Sequence, residues 1–295
     1  MRLVRAHTFA HNNAVYGVAF APDGKTLATA SLDNQVKLWR LADGTLERVL
    51  KGHGDGVAGV GYLADGRLVS ASLDKSLRVW RPDGTLQRTL PGHAEYLTCV
   101  AVAPEGGGIV SGGFDRQIRL WNADADAQVA AFAGGDATVQ CVAWRGDARV
   151  FAGAGDDNSI RWFDATERAV LRTVPAHAAA VEALAFDRQQ RLISGGADGR
   201  LKIWSAEGTA VTDVDALTAR VKCLAVHPAG EVLAVGGSDG VVRVWKLGAG
   251  LSEPIAEPAH RNTLYGVAFS PDGTWLAAAS FDRSISVWRW EMSAS

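Results

Sequence analysis

The chain has 295 residues, 47% of them hydrophobic, and its 30 basic and 32 acidic residues leave a net charge of −2. That charge excludes a global electrostatic attraction to nucleic acid or to anionic lipid, and no apolar run is long enough to span a membrane. With only three cysteines and no export signal near the N-terminus, we expect a cytoplasmic location.

The first part of the chain predicts short strands joined by tight turns. Apolar segments at 15–20 and 26–31 flank a turn at 22–24, and further segments follow at 36–39 and 46–50. Short segments of this kind between Gly- and Asp-containing turns are typical of antiparallel hairpins. We predict no helix, linker or low-complexity segment, and one enlarged connection, at 247–258 in the sixth unit.

The same pattern recurs seven times along the chain. An aromatic residue, here called the anchor, ends the third strand of each unit. The anchors are Trp39, Trp80, Trp121, Phe163, Trp204, Trp245 and Trp288, spaced 41 to 43 residues apart. An aspartate stands six residues before each anchor, at Asp33, Asp74, Asp115, Asp157, Asp198, Asp239 and Asp282. One aromatic and one aspartate every ~40 residues are the signature of a four-stranded propeller blade. The sequence therefore predicts an all-β fold, a seven-bladed β-propeller of four-stranded antiparallel blades.

Because the repeat is unbroken, we predict one domain over 1–295. Its blades are expected at 11–52, 53–92, 93–134, 135–176, 177–216, 217–259 and 260–295. The last unit has only three strands, whereas an additional strand precedes the first unit. We expect this N-terminal strand, within 1–10, to pair into the last blade, which closes the ring and removes an exposed sheet edge.

A histidine 27 or 28 residues before the anchor makes the pattern more specific. It is found in five units, at His11, His53, His93, His177 and His260. With His, Asp and Trp at fixed spacing, the chain resembles the WD-repeat (tryptophan-aspartate repeat) β-propeller family over nearly its whole length. It departs from the family after the anchor, where only Asp164 retains the aspartate that gives the family its name.

The resemblance implies a buried hydrogen-bond network that joins the histidine, a second-strand Ser or Thr, the turn aspartate and the indole N–H. Transferred to this sequence, the network is expected to be complete in three blades. Its members there are His11, Ser31, Asp33 and Trp39; His53, Ser72, Asp74 and Trp80; and His260, Ser280, Asp282 and Trp288. Blades three and five have Gly113 and Gly196 in place of the serine. Blades four and six also lack the histidine, so we expect them to be the softest.

The histidines and cysteines also invite a reading as an enzyme or a metal protein. The His-Ser-Asp sets repeat on separate blades, where the buried network accounts for them, and one histidine per blade cannot converge on a metal. Cys99, Cys141 and Cys223 share one position of the innermost strand, where other blades have Gly or Ala, and we predict inert core residues. No catalytic residue, metal ligand or cofactor is therefore predicted.

Partner binding is expected on the top face of the propeller, where family geometry places the histidine loops and the aspartate turns. Residues just before the turn aspartate should project there, and they are apolar and bulky only in blades seven, one, two and three. Aromatic residues of the innermost strands fall on the same sector. Together these candidates are Tyr16, Leu32, Leu73, Tyr96, Phe114, Tyr265 and Phe281. Clustered exposed aromatics mark interaction sites, although the rings could instead pack around the central channel.

The sequence therefore predicts a non-catalytic scaffold or adaptor that binds a protein or peptide as a subunit of a hetero-complex, without a membrane partner. One alternative is a small-molecule-binding or hydrolase- or lyase-type propeller that uses its channel, with Glu182, Asp156 and Lys222 near the mouth. A less favoured alternative is a nucleic-acid-binding subunit, which is supported only by two cations expected on the top face, Arg220 and Lys222. Arginine outnumbers lysine 23 to 7, which with abundant alanine indicates a GC-rich bacterial genome.

Overall fold

Seven four-stranded antiparallel sheets make up the fold, as seen in a computed structural model that describes residues 2–125, 127–248, 251 and 254–291. The first strand, β1, is Arg2–Ala10. Blades one to three comprise β2 Val15–Phe20, β3 Thr26–Ser31, β4 Val36–Arg40 and β5 Leu46–Leu50; β6 Val57–Tyr62, β7 Leu68–Ser72, β8 Ser76–Trp80 and β9 Leu86–Pro91; and β10 Leu97–Val102, β11 Gly108–Gly113, β12 Gln117–Asn122 and β13 Gln128–Ala133. Blades four and five comprise β14 Val139–Trp144, β15 Val150–Gly155, β16 Ser159–Asp164 and β17 Ala169–Pro175; and β18 Val181–Phe186, β19 Leu192–Gly196, β20 Arg200–Trp204 and β21 Ala210–Asp215. Blades six and seven comprise β22 Val221–Val226, β23 Val232–Gly237, β24 Val241–Lys246 and β25 Ile255–Pro258; and β26 Leu264–Phe269, β27 Trp275–Ser280 and β28 Ser284–Glu291.

The N-terminal strand closes the ring, as the sequence predicts. The last sheet has the order β1-β28-β27-β26, and β1 pairs antiparallel with β28 from Arg2↔Glu291 to Ala10↔Ser284. The prediction of an all-β, seven-bladed propeller closed by this strand is therefore confirmed.

The connections between strands include the Gly-containing turns and the one enlarged connection that the sequence predicts. The turns between strands use glycine at positive φ, for example Gly24 at 69° and Gly66 at 87°, where other residues would be strained. The enlarged connection predicted at 247–258 falls partly on 249–250 and 252–253, outside the described residues, and its predicted end is wrong, because Ile255–Pro258 form the strand β25. Within the connection, Leu247 and Leu251 form an isolated antiparallel bridge.

The core lies between neighbouring blades. Ala28, Val36 and Leu50 of blade one, for instance, pack against Val57 and Trp80 of blade two. The second strand of each blade is buried along most of its length, because a neighbouring blade packs against each of the two faces of its sheet.

Innermost strands approach one another so closely that small residues are needed there. A Cβ on Gly17 would lie 3.2 Å from the main-chain nitrogen of Val60, and one on Gly59 would lie 3.0 Å from Cγ1 of Val100. The cysteines occupy the equivalent position in blades three, four and six, and burial raises the pKa of Cys99 and of Cys223 to about 12. Burial also raises the pKa of Cys141.

The buried network exists, but a hydroxyl two residues earlier than predicted forms its centre. In blade one, Trp39 Nε1 donates to Thr29 Oγ1 at 2.9 Å, and Thr29 Oγ1 lies 2.8 Å from His11 Nε2. On the other side of the ring, His11 Nδ1 lies 2.9 Å from Asp33 Oδ2. When the histidine is neutral, the indole N–H donates to the hydroxyl, the hydroxyl donates to Nε2 and Nδ1–H donates to the carboxylate, so that every group in this series of hydrogen bonds has a partner. We call this series the hydroxyl link.

The assignment of Ser31, Ser72 and Ser280 to the centre of the network is wrong. Ser31 Oγ accepts the N–H of Asp33 at 3.1 Å and lies 3.1 Å from Asn13 O, so it orders the turn. Ser72 and Ser280 do the same in their blades. Side chains two apart share a face of a strand, so alternation could not distinguish the two positions.

This shift changes which blades carry a complete hydroxyl link. Blades one, two, three and five have it, through Thr29, Ser70, Ser111 and Ser194. Blade seven, predicted to be complete, has the fully buried Ala278 at this position. Among the described residues, nothing hydrogen-bonds to the buried His260 Nε2 or Trp288 Nε1. Blade seven therefore lacks the hydroxyl link, as do blades four and six, which have Gly153 and Val235 at this position.

The network also sets the ionisation of its members. Burial lowers the pKa of four histidines, namely His11, His93, His177 and His260. Burial alone would raise the pKa of Asp33, but hydrogen bonds from His11 and from the N–H of Asn12 bring it below its usual value. The neutral histidine and the ionised aspartate are thus both favoured in the folded protein.

Candidate functional site

The top face is the end of the propeller formed by the histidine loops and the aspartate turns. There the residue before each turn aspartate is tied to the start of the innermost strand. The N–H of Leu32 donates to Ala14 O at 2.9 Å and that of Phe114 donates to Tyr96 O at 2.9 Å. The two sets of top-face positions singled out in the sequence are therefore neighbours within each blade.

Three large hydrophobic side chains that are exposed on this face belong to the predicted set. Phe114 is 52% exposed, Phe281 45% and Tyr96 44%. Tyr96 and Phe114 form an edge-to-face pair with ring centroids 6.1 Å apart, and Phe281 lies 6.2 Å from Tyr265. Tyr265 in turn stacks on Tyr16 at 4.2 Å.

Between these two aromatic groups lie Leu32 and Leu73, which converge over Gly56. A Cβ on Gly56 would lie 2.6 Å from Leu32 Cδ2 and 3.3 Å from Leu73 Cδ1. The absence of a side chain at Gly56 therefore leaves room for both leucines above it. Blades seven, one, two and three together present one apolar surface, here called the apolar sector, formed by Tyr16, Leu32, Leu73, Tyr96, Phe114, Tyr265 and Phe281.

A cavity of about 560 Å³ opens beside the apolar sector at the mouth of the central channel. Six members of the sector line it, namely Tyr16, Leu32, Leu73, Tyr96, Phe114 and Tyr265. The cysteines Cys99, Cys141 and Cys223 line its deeper wall. Burial raises the pKa of Tyr16, and the neighbouring Tyr265 raises it by a smaller amount. Tyr16 and Tyr265 thus pack at the channel mouth, whereas the phenylalanines and Tyr96 face solvent.

Blades four to six give the mouth a polar side. The buried carboxylate of Glu182 accepts hydrogen bonds from Lys222 Nζ at 2.8 Å and from the Arg220 guanidinium. Lys222 Nζ also lies 5.2 Å from the centroid of the Tyr265 ring. Asp156 is exposed and accepts from Gln140 Nε2 at 3.1 Å.

These polar residues are arranged to bind one another. Both cations considered for nucleic-acid binding, Arg220 and Lys222, are paired with Glu182, which weakens their attraction for a phosphate backbone. Within the described residues, no group of three or more His, Cys, Asp or Glu side chains is placed to hold a metal. None of the described residues form a helix that could cross a membrane.

Sequence reasoning missed three cations on the rim of the top face. The residue directly after the turn aspartate is Lys75 in blade two, Arg116 in blade three and Arg283 in blade seven. In the other blades it is Asn34, Asn158, Gly199 or Gly240. The signal was present in the sequence, because the cations occur only on blades that contribute to the apolar sector.

Comparison with known proteins places the repeat among described families. The family described as the IFT122 first beta-propeller matches residues 14–257, and the WD domain, G-beta repeat family matches residues 252–289. Nuclear distribution protein nudF of Emericella nidulans is 25% identical over 82% of this chain and 61% of its own length. The ribosome biogenesis protein WDR12 homolog of Chlamydomonas reinhardtii is 27% identical over 76% of this chain and 60% of its own length.

The chain spans between 47% and 65% of the length of the first curated relatives it matches. Their activities therefore belong to longer proteins. These relatives are eukaryotic, and they give no support to the bacterial origin suggested by arginine usage.

Proposed function

The chain belongs to the WD-repeat β-propellers, in the family described as the IFT122 first beta-propeller, and from this premise we propose that it is a non-catalytic scaffold whose apolar sector binds a protein or peptide. The observation that carries the proposal is the clustering of Tyr96, Phe114 and Phe281, each 44% to 52% exposed, on one side of one face. Exposed apolar clusters mark interaction sites, and aromatic side chains are enriched at binding hot spots.

Two relatives are named for nuclear distribution and for ribosome biogenesis. For this chain we propose the coarser role of a subunit or adaptor in a hetero-complex, at a cytoplasmic location. The rigid frame supports that role, because the main-chain bonds of the top-face turns hold the sector in place without a partner.

The test is affinity purification from the native cell with three forms of the protein, read by mass spectrometry. One is the wild type, and the second is the Tyr96→Ala/Phe114→Ala/Phe281→Ala variant. A matched control removes equally exposed apolar side chains from the outer strands of blades four and five, through Val170→Ala, Leu171→Ala and Val211→Ala, which are 52%, 50% and 55% exposed.

We expect a partner to be retained by the wild type and the control and lost by the top-face variant, with unchanged melting temperatures. Retention by all three forms would refute the assignment of the sector. Loss by both variants would show that the effect is not specific to the top face.

A second candidate is small-molecule binding in the channel, favoured by the cavity of about 560 Å³ that contains the buried Glu182. That volume falls within the ~300–1,000 Å³ typical of ligand pockets. Thermal-shift screening of a metabolite library against wild type and Glu182→Gln tests it. A hit that stabilises only the wild type would favour this function over partner binding.

A further inference from the structure

We propose that the partner presents one amphipathic α-helix to the top face, with its apolar stripe on the apolar sector and acidic residues against the rim cations Lys75, Arg116 and Arg283. The inference rests on the proposed function and specifies the class of partner.

Saturated main-chain donors argue for a helix. The N–H groups of Leu32, Leu73, Phe114 and Phe281 all donate to carbonyls of the same blade, at 2.8 to 2.9 Å. The turn N–H groups two residues further on, those of Asn34, Lys75, Arg116 and Arg283, also donate within their blades, each at 3.2 Å.

An extended peptide laid across these turns would bury its carbonyls against main-chain N–H groups that are already engaged within the blades. Extended peptides obtain much of their affinity from main-chain hydrogen bonds, and a buried carbonyl without a partner is unfavourable. A helix satisfies its own main chain and meets the surface with side chains alone, as at helix-binding grooves. The sector therefore suits a helix with apolar residues at i, i+3, i+4 and i+7.

Backbone conformation shows that the rim cations are held at unfavourable positions. The residue after the turn aspartate has φ of 71° at Lys75, 63° at Arg116 and 74° at Arg283. This left-handed region favours glycine and asparagine, and the other four blades have one of these at the position. Folding alone would favour Gly or Asn in all seven blades. Retaining cations in the three blades beside exposed aromatic residues is therefore consistent with a role in binding.

The exposed charged side chains of the rim favour an acidic partner. On the histidine loops and aspartate turns of blades seven, one, two and three, the charged side chains other than the turn aspartates are Lys51, Lys75, Arg116, Arg261 and Arg283 against Asp55 and Glu95. Lys75 Nζ lies 3.2 Å from Glu95 and 6.0 Å from the centroid of the Tyr96 ring, so one cation is partly neutralised. The turn aspartates are ionised but lie mostly buried below the rim, with side chains 6% to 18% exposed, and Lys37 and Arg119 lie near Asp33 and Asp115. Among the exposed side chains of the rim, the excess of positive charge flanks the apolar sector.

The first experiment uses the full chain to select binders from a display library of random peptides of about 16 residues, long enough for about four helical turns. Selection is repeated on the Tyr96→Ala/Phe114→Ala/Phe281→Ala variant. We expect peptides enriched only on the wild type, with apolar residues three or four apart and with Asp or Glu on the flanks. Circular dichroism of the bound peptide should show helix.

The outcomes separate this inference from the proposed function. Wild-type-specific peptides with alternating apolar residues, or with basic flanks, would overturn the acidic helix while leaving the binding sector intact. Peptides enriched equally on both proteins, or no enriched peptide at all, would overturn the sector itself.

The second experiment measures a selected peptide by fluorescence anisotropy against Arg116→Gly/Arg283→Gly. Because glycine suits this backbone conformation, the variant should be at least as stable as the wild type, yet bind about tenfold more weakly at low salt, with the difference shrinking as salt rises. Asn158→Gly, at φ 63° in blade four, is the matched control and should leave affinity unchanged. Unchanged affinity in the double variant would overturn the role of the rim cations.

Discussion

Blade seven lacks one oxygen atom that blades one, two, three and five possess, and introducing it should stabilise the protein. Ala278 occupies the position of Thr29, Ser70, Ser111 and Ser194, ten residues before the anchor Trp288 and eighteen after His260. In Ala278→Ser, the new hydroxyl should accept from Trp288 Nε1 and donate to His260 Nε2, the two buried atoms that have no partner among the described residues.

The magnitude follows from two hydrogen bonds gained in the core. At about 0.5–1.5 kcal/mol net per bond, and with side-chain ordering opposing part of the gain, we expect the free energy of unfolding to rise by about 1–2 kcal/mol. For a domain of this size, each kcal/mol corresponds to roughly 2–4 °C in melting temperature. Urea unfolding followed by tryptophan fluorescence, together with calorimetry, measures both quantities.

Two control variants isolate the cause. Ala279→Ser places a hydroxyl in the same buried strand but on its other face, away from His260 and Trp288, and should lower stability by about 1–2 kcal/mol. Ser70→Ala removes the hydroxyl link of blade two and should lower stability by about 2–3 kcal/mol. Equal effects of Ala278→Ser and Ala279→Ser would refute the reasoning, because the gain would then not depend on the two unpartnered atoms.

Three further results are expected. The four histidines with lowered pKa bind protons more weakly in the folded chain than in the unfolded one, so stability should fall as pH drops below about 6.5 and fall further below about 4 as the turn aspartates protonate; a urea midpoint that stays constant from about pH 7.5 to 5.5 would contradict this. Removing residues 1–10 should lower the melting temperature of the whole domain, since β28 would lose its outer neighbour, and an unchanged melting curve would contradict the closure. Cys99, Cys141 and Cys223 should resist a thiol reagent at about pH 8 until the protein is unfolded, because burial raises their pKa.

Much of the fold could be predicted because each blade repeats the same pattern of strands, turn residues, aspartate and anchor. Alternation and turn residues located the four strands of blade one almost to the residue, and the additional N-terminal strand indicated how the ring closes. The hydroxyl link was misplaced because Thr29 and Ser31 share a face of β3, and only the distance to Trp39 distinguishes them. A strand advances about 3.3 Å per residue, so two residues move a hydroxyl by about 6.6 Å, which is beyond hydrogen-bond reach.

The candidate site was predictable in position but not in surface detail. Comparison of equivalent repeat positions identified the residues of the apolar sector, because the fold places equivalent positions on the same face. The convergence of Leu32 and Leu73 over Gly56 depends on side-chain conformations in adjacent blades, which the repeat does not encode. The distribution of the rim cations over the blades is visible in the sequence, but their unfavourable backbone conformation is not, and φ at Arg116 and Arg283 was needed to show it.

The pairing of Arg2 with Glu291 has a consequence for biosynthesis. Within this domain, β1 is synthesised before the other strands, and its partner β28 is synthesised after them. At ~5–20 residues per second, the ribosome needs roughly 15 to 60 seconds to bridge that interval. Throughout this time β1 has no native strand beside it, and the growing row of blades ends in an apolar blade face that no neighbouring blade covers. The protein should therefore depend on chaperones most strongly just before its last strand is released from the ribosome.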